Sequence, residues 1–271
     1  MNVLVTLDQG YLHPLTVMLK SLSAAHPEES LDIYVMNKAL LPEHFDAVRR
    51  RLDHPRLRLL DVKVREEQLA RAPVTGRYPV EMYYRIFAAH YLPDTLDRVL
   101  YLDPDLVVRG SLTGLYQTSM GYAFFAAASH VPKSLERLNS LRLHSRSDGP
   151  YINSGVMLLN LERLRREQDT EQVFRYIEEN KAALLLPDQD VISALYGDRI
   201  LPLDPWIYNM TERLLAAAVL RPQLEIDLNW VSRHSRIIHY CGRNKPWKEH
   251  YVGYLDRFYL EYEAMLPPAP P

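Results

Sequence analysis

Two carboxylates one residue apart are the side chains of this sequence whose spacing most clearly suggests chemistry. Asp103 and Asp105 flank a proline in the stretch RVLYLDPDLVVR, residues 98–109. The apolar run before them predicts a strand buried on both faces. Open α/β sheets bind ligands at the carboxyl ends of such strands, and neighbouring acids repel each other unless a cation or hydrogen bonds compensate. The pair therefore indicates a cation site, with a solvated turn as the open alternative.

A short segment near the C-terminus could complete such a site. His239 follows an apolar run, and Gly242 and Lys245 come three and six residues later. Two carboxylates and one imidazole suit Mn²⁺ or Mg²⁺ better than a structural zinc. A glycine lets backbone approach a ligand, and a lysine can place a charge on a phosphate. A histidine in this position is also commonly structural, so the hypothesis depends on the remaining segments.

The elements that must position these residues alternate between strands and helices. Apolar runs predict strands over residues 2–7, 31–36 and 57–62, and helical spacing fills residues 13–25 and 40–52 between them. This order indicates an α/β fold, with a mostly parallel central sheet covered by helices on both faces. Further along the chain, the patterns predict strands over residues 122–128, 152–161 and 237–240, a polar loop over 130–150, and helices over 82–92, 161–183, 187–196 and 250–265.

Composition excludes several classes of protein. The 271 residues include 32 basic and 34 acidic side chains and a single cysteine, Cys241. No segment is basic enough for a nucleic-acid footprint, and one cysteine excludes an internal disulfide. There is no long apolar span or signal-peptide pattern, so we expect a soluble cytoplasmic protein without membrane attachment. Its oligomeric state is not indicated.

The turn after the first strand lacks a phosphate-binding glycine pattern. Asp8-Gln9-Gly10 offers one glycine, so neither the dinucleotide fingerprint nor a P-loop is present. A cation held by acids would then be the economical way to neutralise the phosphates of a bound nucleotide.

Four motifs occur in one order and carry a family resemblance. They are D-x-D at residues 103–105, N-x-G at 153–155, D-Q-D at 188–190 and H-x-x-G-x-x-K-P-W at 239–247. The chain resembles family 8 glycosyltransferases of the GT-A fold from residue 1 to about residue 254. It is similar to bacterial lipopolysaccharide galactosyl- and glucosyltransferases, and more distantly to glycogenin.

The resemblance implies a fold, a domain organisation and an activity. The fold is GT-A type and Rossmann-like, forming one domain over residues 1–265, with a nucleotide-binding half (1–110), a sugar and acceptor half (111–265) and a disordered tail (266–271). The implied enzyme is a metal-dependent, retaining hexosyltransferase. It moves galactose or glucose from a UDP-sugar to a hydroxyl of a saccharide or glycolipid acceptor.

The resemblance also assigns roles to individual residues. It implies that Asp103, Asp105 and His239 hold Mn²⁺, with Mg²⁺ as a second possibility. The resemblance also implies which residues lie near the nucleotide and sugar: Asp8 and Tyr11 at uracil, Arg85, Asn153, Gly155 and Asp188 at the sugar, Gln189 near the anomeric carbon, and Gly242 and Lys245 at the diphosphate. Of these, Arg85, Asp188 and Gln189 are the implied catalytic residues. Gly10 departs from the asparagine usual in the galactosyltransferases, which puts one uridine contact in doubt.

Each assignment has a structural alternative. Tyr11 could cap the edge of the core, Arg85 could pair with Glu81, Asn153 could satisfy a turn, and Asp188 could be a helix N-cap. A catalytically silent module that binds a sugar nucleotide or glycan is the alternative function. A nucleotidyltransferase is disfavoured because LDQGYLHP lacks a basic phosphate-binding loop, and a glycosidase would not need a metal set. Residues 129–150 and 207–230 are the expected acceptor site.

Overall fold

A seven-stranded sheet forms the centre of the molecule, whose computed structural model describes residues 1–52, 54–64, 80–145 and 149–268. Its strands are β1 (Asn2–Thr6), β2 (Leu31–Asn37), β3 (Leu57–Lys63), β4 (Arg98–Leu102), β6 (Phe125–Ser129), β7 (Ile152–Asn160) and β8 (Ile200–Leu203). Their order in the sheet is β3-β2-β1-β4-β7-β6-β8, and β7 runs antiparallel to both of its neighbours while the other strands share one direction. The predicted α/β fold with a mostly parallel sheet is confirmed.

A second, two-stranded sheet pairs segments that are far apart in sequence. It joins β5 (Leu106–Val108) to β9 (Ile237–His239) in antiparallel fashion. The register places Leu106 opposite His239, so the histidine lies beside the residue that follows Asp105. This pairing brings the C-terminal motif close to the two acids.

Helices cover both faces of the main sheet. The α-helices are α1 (Leu12–Ala25), α2 (Pro42–Arg51), α3 (Thr113–Tyr116), α4 (Lys133–Arg142), α5 (Leu161–Glu167), α6 (Thr170–Asn180), α7 (Pro187–Tyr196), α8 (Pro205–Tyr208), α9 (Glu212–Val219), α10 (Leu228–His234) and α11 (Asp256–Glu263). Short 3₁₀ helices span Gln9–Tyr11, Gly197–Arg199 and Pro222–Leu224, and a longer one spans Val80–His90. None of the helices in the described ranges is both long and apolar enough to cross a membrane.

Strand β4 divides the hydrophobic core between the two faces of the sheet. Val99 and Tyr101 pack into one cluster, and Leu100 and Leu102 pack into the other, all of them fully buried. Because successive strand residues point to opposite faces, a strand between two cores is apolar at each of its buried positions. The prediction of a strand buried on both faces is confirmed.

Several predicted boundaries were wrong. The single helix over residues 161–183 is two helices, because Asp169 ends the run and caps α6 by accepting a hydrogen bond from the backbone N–H of Gln172 at 3.0 Å. The loop over 130–150 contains α4, and residues 82–92 lie largely in a 3₁₀ rather than an α-helix. The predicted final helix is shorter, Asp256–Glu263.

Other predictions fall partly or wholly outside the described residues. The loop with Pro73, Gly76 and Pro79 and the last residues of the tail, 269–271, lie there. Leu266, which opens the predicted disordered tail, is buried in a third hydrophobic cluster with Tyr259 and Tyr262. The division into two functional halves stays a prediction.

Candidate active site

Two acids and one imidazole meet at the carboxyl end of β4. One ligand atom from each of Asp103, Asp105 and His239 lies within 4.8 Å of the other two. His239 Nε2 is 3.2 Å from Asp105 Oδ1 and 3.7 Å from Asp103 Oδ2. The β5–β9 pairing supplies the histidine, and the end of β4 supplies the acids.

The chemistry of these atoms fits a divalent cation. Asp105 Oδ1 and His239 Nε2 are both buried without a hydrogen-bond partner, although unsatisfied buried polar atoms are costly. Carboxylate oxygens and an imidazole nitrogen are ligands for Mn²⁺ and Mg²⁺. A bound cation would satisfy both orphaned atoms at once.

The two acids have opposite electrostatic environments. Burial raises the pKa of Asp103 above its usual value, and the charge of Asp105 adds to this effect despite the opposing guanidinium of Arg85. Burial also acts on Asp105, but Lys245 and His239 outweigh it and hold the pKa of that carboxyl low. Asp105 is therefore the more firmly ionised of the two.

Arg85 connects the candidate metal ligands to the predicted sugar site. Its Nη1 lies 3.1 Å from Asp103 Oδ1 and 3.0 Å from Asp188 Oδ2, and the side chain is buried. Asp188 also accepts a hydrogen bond from the hydroxyl of Ser154 at 2.7 Å, and Asp103 accepts one from the hydroxyl of Tyr101 at 2.6 Å. The buried guanidinium of Arg85 therefore pairs with two carboxylates that are 85 residues apart in the sequence. The alternative partner proposed for it, the Glu81 side chain, lies outside the described atoms.

Gly155 allows β7 to approach the candidate metal ligands closely. Its carbonyl accepts a hydrogen bond from the backbone N–H of Asp103 at 2.8 Å. A Cβ at this position would lie 2.2 Å from His239 Cε1 and 2.6 Å from Asp103 Oδ2, well inside contact distance. The absence of a side chain is therefore a steric requirement of the site.

The residues predicted to bind uracil lie between β1 and α1. Asp8 Oδ1 accepts a hydrogen bond from the backbone N–H of Gly10 at 2.8 Å and caps the short 3₁₀ helix. The ring of Tyr11 lies edge-on to that of Trp247, with centroids 6.1 Å apart. The N-terminal turn thereby borders the H-x-x-G-x-x-K-P-W segment, and the uracil contacts stay predictions.

The residues predicted to bind diphosphate differ in their surroundings. Gly242 is exposed, has a left-handed backbone with φ of 87° and faces open space. Lys245 is buried, and its Nζ donates hydrogen bonds to Asp105 Oδ2 and, at 2.8 Å, to the carbonyl of Tyr240. In this arrangement Lys245 compensates the charge of an acid, and its contact with diphosphate stays a prediction.

Helix α7 presents the D-Q-D motif from its first turn. Leu186 is the N-cap, so the alternative of Asp188 as the cap was wrong. Asp188 and Gln189 are both buried. Asp190, the third residue of the motif, is fully buried and accepts hydrogen bonds from five donors: Tyr151 Oη at 2.6 Å, Arg142 Nη2 at 2.8 Å, Arg142 Nη1 at 3.2 Å, Leu185 N at 2.6 Å and Leu186 N at 3.0 Å. The last acid of the motif therefore anchors the helix that carries the first two residues.

Replacing Arg142 by methionine is expected to lower the free energy of unfolding by about 2 kcal/mol, because a hydrogen-bonded charge on Asp190 loses its cationic partner. Urea denaturation measures the change. Arg137→Met on the exposed side of the same helix is the matched control. Equal destabilisation by the two variants would contradict this role of Arg142.

Sequence reasoning missed two polar residues of the site. Ser154 lies inside the N-S-G motif and contacts both Arg85 and Asp188. Asn209 is fully buried against His239 and Asn153. Asn209 stands in a segment of irregular pattern, and no motif marks it.

The chain is similar in sequence to known glycosyltransferases. The sequence model of glycosyl transferase family 8 matches residues 2–250. The lipopolysaccharide 1,2-glucosyltransferase of Escherichia coli K12 is 28% identical over 247 residues, which cover 91% of this chain and 72% of that protein. Glycosyltransferase GlyE of Streptococcus pneumoniae is 26% identical over 260 residues, and the match spans 95% of this chain but only 59% of GlyE.

A solved structure matches over the full chain. The galactosyltransferase LgtC, in complex with donor and acceptor sugar analogues, superimposes with a TM-score of 0.83 at 26% identity. The match covers 100% of this chain and 98% of that one.

Proposed function

This chain belongs to glycosyl transferase family 8, and we propose that it is a retaining hexosyltransferase that uses a divalent cation, Mn²⁺ or Mg²⁺. It would move glucose or galactose from a UDP-sugar to a hydroxyl of a saccharide or glycolipid acceptor. The observation that carries the proposal is the convergence of Asp103, Asp105 and His239, which leaves two buried ligand atoms without partners. The intact set of metal ligands argues against a module that has kept the fold and lost the chemistry.

The relatives support the choice of sugar and acceptor. The Escherichia coli relative is a glucosyltransferase of lipopolysaccharide, and LgtC is a galactosyltransferase. Glucose and galactose differ in the orientation of one hydroxyl, so both remain within the proposal. A cytoplasmic location stays a prediction.

Leaving-group departure sets the electrostatic task of the site. Breaking the bond between the anomeric carbon and the diphosphate develops negative charge on the leaving oxygen and positive charge on the sugar. A cation held by Asp103, Asp105 and His239 would supply Lewis acidity when bound. Lys245 would add a second positive charge, and the backbone N–H of Gly242, an exposed residue with a positive φ, would donate to the diphosphate. UDP is already a good leaving group, so no strong general acid is required.

The sugar site rests on Arg85 and α7. Arg85 pairs with Asp188, and we expect the carboxylate of Asp188 to accept hydrogen bonds from sugar hydroxyls. Gln189 follows on the same helix turn, and an amide is a poor nucleophile. We therefore favour attack by the acceptor hydroxyl on the face from which the diphosphate leaves, with the departing phosphate taking the proton.

Asp188→Asn is expected to lower the rate of transfer about 100-fold, because a misplaced sugar loses its orientation for attack. Gln189→Ala is expected to cost about tenfold, since an amide contributes only a hydrogen bond. Steady-state kinetics with saturating donor measures both. If Gln189→Ala abolished turnover while Asp188→Asn were harmless, the roles of the two residues would have to be reassigned.

A donor screen tests the proposed function. Release of nucleoside diphosphate is measured from UDP-, GDP- and dTDP-sugars, with Mn²⁺ and with a chelator in its place. The proposal expects turnover of UDP-glucose or UDP-galactose that depends on the cation. Binding of a UDP-sugar without turnover under either condition would instead favour the catalytically silent module.

A further inference from the structure

A buried asparagine contacts the candidate metal ligand His239 on the side of its ring away from the two acids. The side chain of Asn209 is fully buried, one residue beyond the end of α8. Its Oδ1 lies 2.9 Å from His239 Nδ1, and its Nδ2 lies 3.0 Å from Asn153 Oδ1. The asparagine therefore joins the N-x-G motif to the histidine of the C-terminal motif.

The donor and the acceptor of each hydrogen bond in this series can be assigned in turn, starting at Asn153. The backbone N–H of Gly155 donates to Asn153 Oδ1 at 3.1 Å, so that atom is an acceptor and must be oxygen. Only the amide nitrogen of Asn209 can donate to the same oxygen, which turns the Asn209 oxygen toward His239. An oxygen can only accept, so His239 Nδ1 must carry the proton.

A proton on Nδ1 leaves the other ring nitrogen with a free lone pair. In the neutral imidazole one nitrogen is a donor and the other an acceptor, and a metal binds the acceptor. Nε2 is the atom that faces Asp103 and Asp105, and it has no hydrogen-bond partner. The hydrogen bonds from Asn153 through Asn209 to His239 thus favour the Nδ1–H tautomer, which is the one that a cation at the two acids requires.

We infer that Asn209 is a positioning residue, which acts through His239 by fixing its Nδ1–H tautomer and its ring orientation. The inference rests on the proposed function because it presumes that His239 is a metal ligand. Residues that orient a metal-binding histidine through its second nitrogen typically change metal affinity 10- to 100-fold when replaced.

The backbone holds Asn209 rigidly in place for this role. Its N–H donates to the carbonyl of Pro205 at 3.1 Å, and its carbonyl lies 2.8 Å from His130 Nε2. The next residue, Met210, accepts a hydrogen bond from the backbone N–H of His239 at 2.8 Å. The asparagine and the histidine are therefore fixed to each other by backbone as well as by side chain.

Two variants separate the acceptor oxygen from the bulk of the side chain. Asn209→Leu keeps a similar volume and removes the acceptor, whereas Asn209→Asp keeps an oxygen toward His239 Nδ1. Asn37→Leu removes an equally buried asparagine from β2 and controls for general destabilisation. Mn²⁺ affinity is measured for each protein by electron paramagnetic resonance, without any sugar nucleotide.

The ring tautomer is read independently of any metal. Nitrogen-15 shifts of His239 are recorded on the metal-free protein at mildly alkaline pH and assigned by loss of the signals in His239→Gln. We expect a protonated Nδ1 in the wild type and in Asn209→Asp. Asn209→Leu should move the proton to Nε2 and weaken Mn²⁺ binding about 10- to 100-fold, while Asn209→Asp stays within a few-fold of the wild type.

The ring tautomer and the Mn²⁺ affinity together test the role of Asn209 separately from the proposed metal dependence. A protonated Nε2 in the neutral wild type, or unchanged tautomer and Mn²⁺ affinity in Asn209→Leu, would overturn the role of Asn209. A wild-type protein with the expected tautomer and no Mn²⁺ binding would overturn the proposed metal dependence instead. The wild-type spectrum is informative even if a variant fails to fold.

Discussion

Replacement of Asp103 by asparagine is expected to lower the rate of hexosyl transfer about 1000-fold while the protein stays folded. The expected loss corresponds to about 4 kcal/mol of transition-state stabilisation, the scale on which a metal stabilises developing charge. An asparagine can keep its oxygen toward Tyr101 and Arg85, where Asp103 Oδ1 now lies. Its amide would then face His239 Nε2 and occupy the lone pair that the cation needs.

The measurement compares transfer rates at saturating Mn²⁺ and UDP-sugar, with unfolding followed in parallel. Asp94→Asn makes the same chemical change at an acid whose side chain is 97% exposed, and it should leave transfer unaltered. An Asp103→Asn enzyme within tenfold of the wild type would show that this carboxylate does not hold a required cation.

Alanine at position 155 is expected to reduce Mn²⁺ affinity and transfer about 100-fold each, the cost of misplacing reacting groups by about 1 Å. The new methyl group would overlap both His239 and Asp103, so the two ligands must separate. The strand cannot give way easily, because Gly155 sits in β7 and its carbonyl is held by the backbone of Asp103. Titration with Mn²⁺ and steady-state kinetics measure the two effects.

Gly114→Ala is the matched control for this substitution. Gly114 lies on the short helix α3, and a Cβ there meets nothing within 4 Å. It should leave affinity and rate unchanged. A Gly155→Ala protein that binds Mn²⁺ as the wild type does would mean that the ligands can rearrange without loss of the site.

Local sequence patterns were sufficient for the elements that carry the site. Strand β4 is apolar over residues 99–102 because it separates two cores, and the two acids stand out in the sequence because they follow this apolar run. Pro187 marked the start of α7, and the apolar run before His239 marked β9. Family membership followed from four motifs in order, not from any one of them.

Features created by tertiary contact were not predictable. The pairing of β5 with β9, which brings His239 to Asp105, joins segments more than 100 residues apart, and no local pattern encodes it. Asn209 is functional in our account only because it lies between Asn153 and His239. Helix α4 was missed although Leu135, Leu138 and Leu141 recur at helical spacing, because the polar residues around them were interpreted as a loop.

A crystal structure with Mn²⁺ and UDP, recorded at a wavelength where manganese scatters anomalously, shows directly whether the two acids and the histidine bind the cation. We expect one anomalous peak in contact with Asp103, Asp105 and His239 Nε2, with diphosphate oxygens completing the coordination. A complex in which UDP is bound and no manganese lies among these three residues would contradict this expectation.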